Sequence, residues 1–147
     1  MGGDRVSKFK EMLGELIVDK GATAEKISLE MDIESSSMYR WLSGEEQPNP
    51  QSLEKLCNYF EVSCEYLLGR ENINVFPKSR KALNFFDTYN KILVEKKINK
   101  YQMSKQTGIP SSQIYNWKNR KYAPSIDSVI KLADYFGITV DEMLGME

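Results

Sequence analysis

The sequence predicts an all-α protein of two tandem five-helix domains joined by a short linker, and three observations carry that reading. Sliding the 147-residue chain against itself by 76 positions brings Tyr39 onto Tyr115, Trp41 onto Trp117, Pro48 onto Pro124, Tyr59-Phe60 onto Tyr135-Phe136 and Leu68-Gly69 onto Leu144-Gly145, with no gap. A period of that kind marks two copies of one supersecondary plan. Apolar type persists where identity is lost, as at Ile27 and Met103, Met38 and Ile114, Leu53 and Val129, and Val62 and Ile138. Within each copy apolar residues recur at three- and four-residue spacing, the period of amphipathic helices. The expected boundaries are residues 1–69 for the first domain, 70–78 for the linker and 79–147 for the second domain. About 60 residues per copy is small but enough to close a helical core.

In the first copy, Phe9, Leu13, Leu16 and Ile17 set the inner face of a helix ending near Gly21. Thr23 can cap a second helix that runs to Met31, and Asp32 then occupies a turn position suited to the left-handed region. A third short helix turns Met38 and Trp41 inward. The polar, proline-containing loop over residues 44–50 leads to a fourth helix with Leu53, Leu56, Cys57 and Phe60 on one face, and a last short helix runs from about Cys64 to Gly69. The second copy repeats the plan. A helix from a Ser79 cap to about Lys96 comes first, then a helix capped by Asn99 that ends at Thr107 before a turn at Gly108. A third helix spans about 111–119. Ile126, Val129, Ile130, Leu132, Ala133 and Phe136 supply the inner face of the fourth, and Val140, Met143 and Leu144 that of the fifth. The linker residues Ile73, Val75 and Phe76 are apolar, so the linker is expected to pack against a domain. Extended, it spans at most about 30 Å, against roughly 34 Å between successive major-groove faces.

Composition removes several function classes. No apolar run approaches the roughly 20 residues of a membrane span, and the N-terminus lacks the apolar core of a secretory signal, so a cytoplasmic location with no membrane partner is expected. There is no histidine, and the two cysteines, Cys57 and Cys64, fall on apolar positions matched by Ala133 and Val140. Buried packing is therefore expected of both thiols, and neither a metal nor a cofactor. Carboxylates such as Glu45 and Glu46 have no paired metal or base motif and no phosphate-cradling glycine loop occurs, so the chain is not expected to be an enzyme.

Net charge is only −1, but its distribution is uneven. Residues 1–76 hold 8 Lys and Arg against 14 Asp and Glu, a net −6; residues 77–147 hold 12 against 7, a net +5. Residues 96–122 contain Lys96, Lys97, Lys100, Lys105, Lys118, Arg120 and Lys121 and no acid. Ser111, Ser112, Gln113, Asn116 and Asn119, with Tyr101, Tyr115 and Tyr122, interleave hydrogen-bonding groups among those cations. Such a mixture suits a phosphate backbone with base edges beside it. With Ile114 and Trp117 turned inward, the third helix leaves Ser111, Ser112, Gln113, Tyr115 and Asn116 outward, and a helix so held fits a major groove roughly 12 Å wide. Ser28 and Ser104 are small, which lets the second and third helices of each copy approach. Trp41, Trp117, Tyr59 and Tyr135 are read as core, whereas Tyr39 and Tyr115 suit packing and phosphate contact equally.

Each copy resembles the lambda-repressor-like, Cro/Xre-type helix-turn-helix domain. In the second copy the residues that carry the likeness are Asn99-Lys100-Tyr101-Gln102-Met103-Ser104, Gly108-Ile109, Ile114, Trp117, Pro124-Ser125-Ile126, Leu132-Ala133-Asp134-Tyr135-Phe136-Gly137-Ile138 and Asp141-Glu142-Met143-Leu144. The resemblance implies a sequence-specific regulator of transcription, a repressor, bound to double-stranded DNA. It implies base reading by Ser111, Ser112 and Asn116, with Gln113 or Tyr115 nearby, and phosphate contacts by Lys100, Asn119, Arg120 and Lys121, with Tyr122 along the backbone. Asn116 is the strongest base-reading candidate, because an amide pairs bidentately with adenine. Pro110 and Glu34 stand where the family places a capping Ser or Thr, so Ser111 either caps the helix or reads a base.

On the first copy the same positions are Ser35, Ser36 and Arg40. There Lys20, Lys26 and Arg40 face Glu25, Glu30, Asp32, Glu34, Glu45 and Glu46, a local net of −3 that repels phosphates. The first copy is read as an auxiliary DNA-binding or dimerisation domain. The alternatives are a homodimer contact, a protein partner held by the acidic surface in the manner of an adaptor or antitoxin-like subunit, or a cover for the basic face of the second copy.

Overall fold

The computed structural model describes residues 2–76, 84–118 and 124–146. It divides into two compact units, Met1–Phe76 and Pro77–Glu147. The first unit holds α1 (Gly2–Lys20), α2 (Ala24–Met31), α3 (Ser35–Ser43), α4 (Pro50–Phe60) and α5 (Cys64–Leu67). The second holds α6 (Phe85–Glu95), α7 (Lys100–Thr107), α8 (Ser111–Lys118), α9 (Ile126–Phe136) and α10 (Val140–Met143). The chain is thus all-α and tandem. The first residues of α2, α3, α4 and α5 precede those of α7, α8, α9 and α10 by 76 positions in every pair.

That register is enforced at the helix starts. Thr23 accepts from the Lys26 amide, Asn49 from Ser52 and Ser63 from Tyr66 in the first unit, and Asn99 from Gln102, Ser125 from Ser128 and Thr139 from Glu142 in the second. Each bond satisfies an amide that the first helical turn leaves without a partner, worth about 1 kcal/mol. Helix ends are set by left-handed residues. Asp32 (φ 57°) ends α2 where Gly108 (φ 77°) ends α7, and Glu61 (φ 55°) ends α4 where Gly137 (φ 73°) ends α9.

Each unit has its own core. In the first, Phe9, Leu13, Ile27, Met38, Trp41, Leu53, Leu56 and Leu67 are buried; in the second, Phe85, Tyr89, Met103, Ile114, Trp117, Val129, Leu132, Phe136 and Met143. The predicted inner faces of α9 and α10 are buried throughout. Cys57 and Cys64 are both buried, their sulfurs 3.2 Å apart. The Tyr59 hydroxyl donates to the Glu30 carboxylate and ties α4 to α2; that hydrogen bond, then burial, then the carboxylate charge raise its pKa above the usual phenol value.

Four expectations need correction. The first helix of the second unit starts at Phe85, not at a Ser79 cap: Asn84 is its N-cap and accepts from the Asp87 amide at 3.0 Å, while Ser79 lies outside the described residues. Leu16 and Phe60 are half-buried, since each lies at the edge of its helix's apolar stripe. Tyr59 and Tyr135 are likewise half-buried, because a phenol can bury its ring edge and keep its hydroxyl wet. The linker is not held by apolar packing of Ile73 and Val75, which are 74% and 72% exposed, and of its three apolar residues Phe76 alone is half-buried. Asn74 holds it instead, accepting from the Ser63 amide at 2.8 Å and donating to the Glu61 carbonyl at 3.0 Å, while Arg70 pairs with Glu65 at 2.6 Å.

Candidate nucleic-acid interface

The second unit presents a helix, a turn and a second helix in which every local bond serves to hold α8 by one face. Gly108 takes the left-handed conformation that ends α7, and its amide donates to Ser104 at 2.9 Å. The Ser104 hydroxyl crosses the turn to the Ile109 carbonyl at 2.6 Å. Thr107 donates to the Met103 carbonyl at 2.6 Å and accepts from the Ile109 amide at 3.2 Å. Ile109 closes the turn from within, 2% exposed. Small hydroxyl residues here do more than permit close approach; they satisfy the backbone groups that a tight turn would strand.

α8 then starts with the Pro110 carbonyl accepting from Gln113 and Ile114. Ser111 is therefore the first residue of α8, and its side chain is exposed. Ile114 and Trp117 are buried one turn apart, and the Trp117 ring meets Phe85 and Tyr89 edge-on at centroid distances of 5.9 and 5.8 Å. Those contacts fix the rotation of α8 about its axis. At 100° per residue, Ser111, Ser112, Tyr115 and Asn116 then share one outward face with Gln113 at its flank. Ser111, Ser112, Gln113 and Tyr115 are exposed and Asn116 is half-buried. Tyr115 is 64% and Tyr39 48% exposed, so neither is a core residue.

Of the phosphate candidates, Lys100 is the half-buried first residue of α7. Asn119, Arg120, Lys121 and Tyr122 lie outside the described residues. Beside Lys100, Tyr101 is 69% exposed with the Lys105 ammonium 5.3 Å from its ring centroid. Both belong to the cationic stretch singled out in the sequence, but their contact with each other was not foreseen there.

The first unit builds the same frame with different chemistry. Ser28 is 1% exposed and its hydroxyl returns to the Ala24 carbonyl at 2.7 Å, leaving room for α3 against α2. Met38 and Trp41 are buried, while Ser35, Ser36 and Tyr39 are exposed and Arg40 half-buried. Arg40 is not a free cation. Its Nε donates to Glu46 Oε2 at 3.0 Å, and its Nη2 lies 3.5 Å from the Ser37 hydroxyl. Sequence reasoning missed Glu46 as a partner of Arg40; the acidic pair at 45–46, where the second copy has Lys121-Tyr122, was its only trace.

No helix among the described residues is long and apolar enough to cross a membrane. The chain is 27% identical over 85 residues to the HTH-type transcriptional activator BcrR of Enterococcus faecalis, an alignment covering 58% of this chain and 42% of that protein. The chain thus spans less than half the length of this relative. No solved structure matches it significantly. The Cro/C1-type HTH DNA-binding domain matches twice, at residues 12–72 and 90–147. The chain belongs to the Cro/C1-type HTH DNA-binding domain family and carries its domain in tandem.

Proposed function

We propose that the chain is a sequence-specific double-stranded DNA-binding regulator that represses transcription by occupying its operator. In this reading residues 79–147 are the main DNA reader, residues 1–69 an auxiliary one and residues 70–78 the linker. One observation carries it: the open polar face of α8 lies within a stretch, residues 96–122, that has seven cations and no acid. Asn116 pairs with an adenine edge, Ser111 and Ser112 meet neighbouring bases or their phosphates, and Gln113 and Tyr115 flank them. Lys100 at the start of α7, with Asn119, Arg120, Lys121 and Tyr122 after α8, takes the phosphates that set register. Helix entry by the N-terminal part of the second helix is the geometry such a frame supports.

The test is selection of binding sites from a randomised duplex library by the intact protein, followed by titration of the selected site with Asn116→Ala. Loss of one bidentate amide costs about 1–3 kcal/mol. The variant is expected to bind its site roughly 5–150-fold more weakly, with preference relaxed at one base pair and random-sequence affinity unchanged. Equal weakening on all sequences, or none on any, would refute the assignment.

A further inference from the structure

The two copies carry different side chains at one structural position. Arg40 and Asn116 are 76 residues apart, the period of the repeat, and each lies four residues after an exposed serine, Ser36 or Ser112, on the outward face of its helix. An amide matches adenine, accepting from N6 and donating to N7. A guanidinium matches guanine, donating to O6 and N7. The same frame therefore presents two different reading groups.

Arg40 is also held in a specific way. Glu46 is fixed to α3 by its own backbone, the Glu46 amide donating to the Arg40 carbonyl at 3.2 Å, and its carboxylate takes the Nε–H of the same residue at 3.0 Å. With Ser37 beside Nη2 at 3.5 Å, the inner edge of the guanidinium is engaged and donors on the two terminal nitrogens remain. Those two nitrogens form the end-on fork that spans O6 and N7 of guanine. The Arg40 side chain is 38% and that of Glu46 55% exposed, so the pair contributes little to stability and its consequence is orientation. It also has an electrostatic consequence. The carboxylate offsets the Arg40 charge toward phosphates, and Glu45 beside it adds a second anion. Generic attraction to DNA is thereby suppressed at this helix while hydrogen-bond readout is kept.

We propose that α3 reads a guanine through Arg40, that Glu46 is the positioning residue for that contact, and that the operator is consequently a composite of two unlike parts, guanine under Arg40 and adenine under Asn116. This rests on the DNA-binding reading given above and deepens it. The acid-rimmed first domain then adds sequence discrimination without adding random-sequence affinity.

The experiment selects sites from a randomised duplex library with the intact wild-type chain and with Arg40→Ala, Arg40→Lys, Glu46→Gln and Asn116→Ala. It then measures affinity for single-base variants of the selected site at several salt concentrations. Expected is a two-part site in which Arg40→Ala and Arg40→Lys each lose preference at one guanine by roughly 5–150-fold, at a position separate from the one relaxed by Asn116→Ala. Glu46→Gln is expected to weaken the same guanine preference several-fold while raising affinity for random duplex and steepening the salt dependence, a combination that a merely structural role would not produce. A selected site altered by Asn116→Ala but unchanged at every position by Arg40→Ala overturns the inference and leaves the main reading standing. Full guanine preference in Glu46→Gln overturns the role of Glu46. Failure of the wild-type chain to select any sequence overturns both the inference and the reading beneath it.

Discussion

Tyr89→Phe is expected to stabilise the second domain, although it removes a hydroxyl from a buried residue. Tyr89 is 0% exposed, stacked on Phe85 at 5.8 Å and edge-on to Trp117 at 5.8 Å, and its hydroxyl has no hydrogen-bond partner among the described residues. The first copy has Leu13 at the matching position. Leaving a buried hydroxyl unsatisfied costs about 1–3 kcal/mol, and phenylalanine keeps every ring contact. A gain of about 1 kcal/mol raises the transition of a domain of this size by about 4–8 °C, read by calorimetry on the intact chain at neutral pH. The phenol adds a pH signature. Burial pushes its pKa well above the usual value of 10.0. The unfolded chain releases that proton near its ordinary pKa while the folded chain keeps it. The stability tied to Tyr89 is therefore fully present below the unfolded pKa and falls above it, by about 1.4 kcal/mol per pH unit. Tyr89→Phe removes that slope, so its advantage over wild type should widen as pH rises above 10. A lower transition temperature for the variant at neutral pH, or an advantage that does not grow in alkali, would refute the reasoning. Because the substitution leaves the outer face of α8 untouched, DNA affinity should not change.

Two backbone predictions use the repeat as an internal control. Glu61 holds φ 55° at the end of α4 where the second copy has Gly137, so Glu61→Gly should stabilise the first domain by about 0.5–1 kcal/mol in chemical denaturation. Gly108→Ala meets nothing within 4 Å, so its cost is conformational alone, about 1 kcal/mol, and should appear as a shifted midpoint of the second domain with an unchanged m-value.

The repeat made most of the fold legible, because a gapless 76-residue register transfers each element from one copy to the other: Thr23 and Asn99 cap as expected, and Asp32 and Gly108 turn as expected. What escaped were choices between near-equal local options. Asn84 caps α6 through the bond from the Asp87 amide, a choice that residue type alone does not reveal. The apolar Ile73 and Val75 suggested packing, but the Asn74 side chain satisfies two backbone groups that those residues could not. At the site, the outward residues of α8 followed from the burial of Ile114 and Trp117. The Arg40–Glu46 pair did not, because it joins a helix to a loop whose path no periodicity encodes. The unsatisfied hydroxyl of Tyr89 was invisible for a similar reason, since tyrosine on an apolar stripe reads as ordinary core.

The central claim, that the second domain is the principal phosphate-contacting reader, is tested most directly by the salt dependence of duplex binding. Fluorescence anisotropy would compare wild type with Arg120→Ala/Lys121→Ala in the second copy and Lys20→Ala/Lys26→Ala in the first. The log–log slope of affinity against salt should become shallower by roughly 1–2 for the second-copy variant and stay at the wild-type value for the first-copy variant. Equal slopes in all three proteins, or no duplex binding by wild type at low salt, would contradict the account.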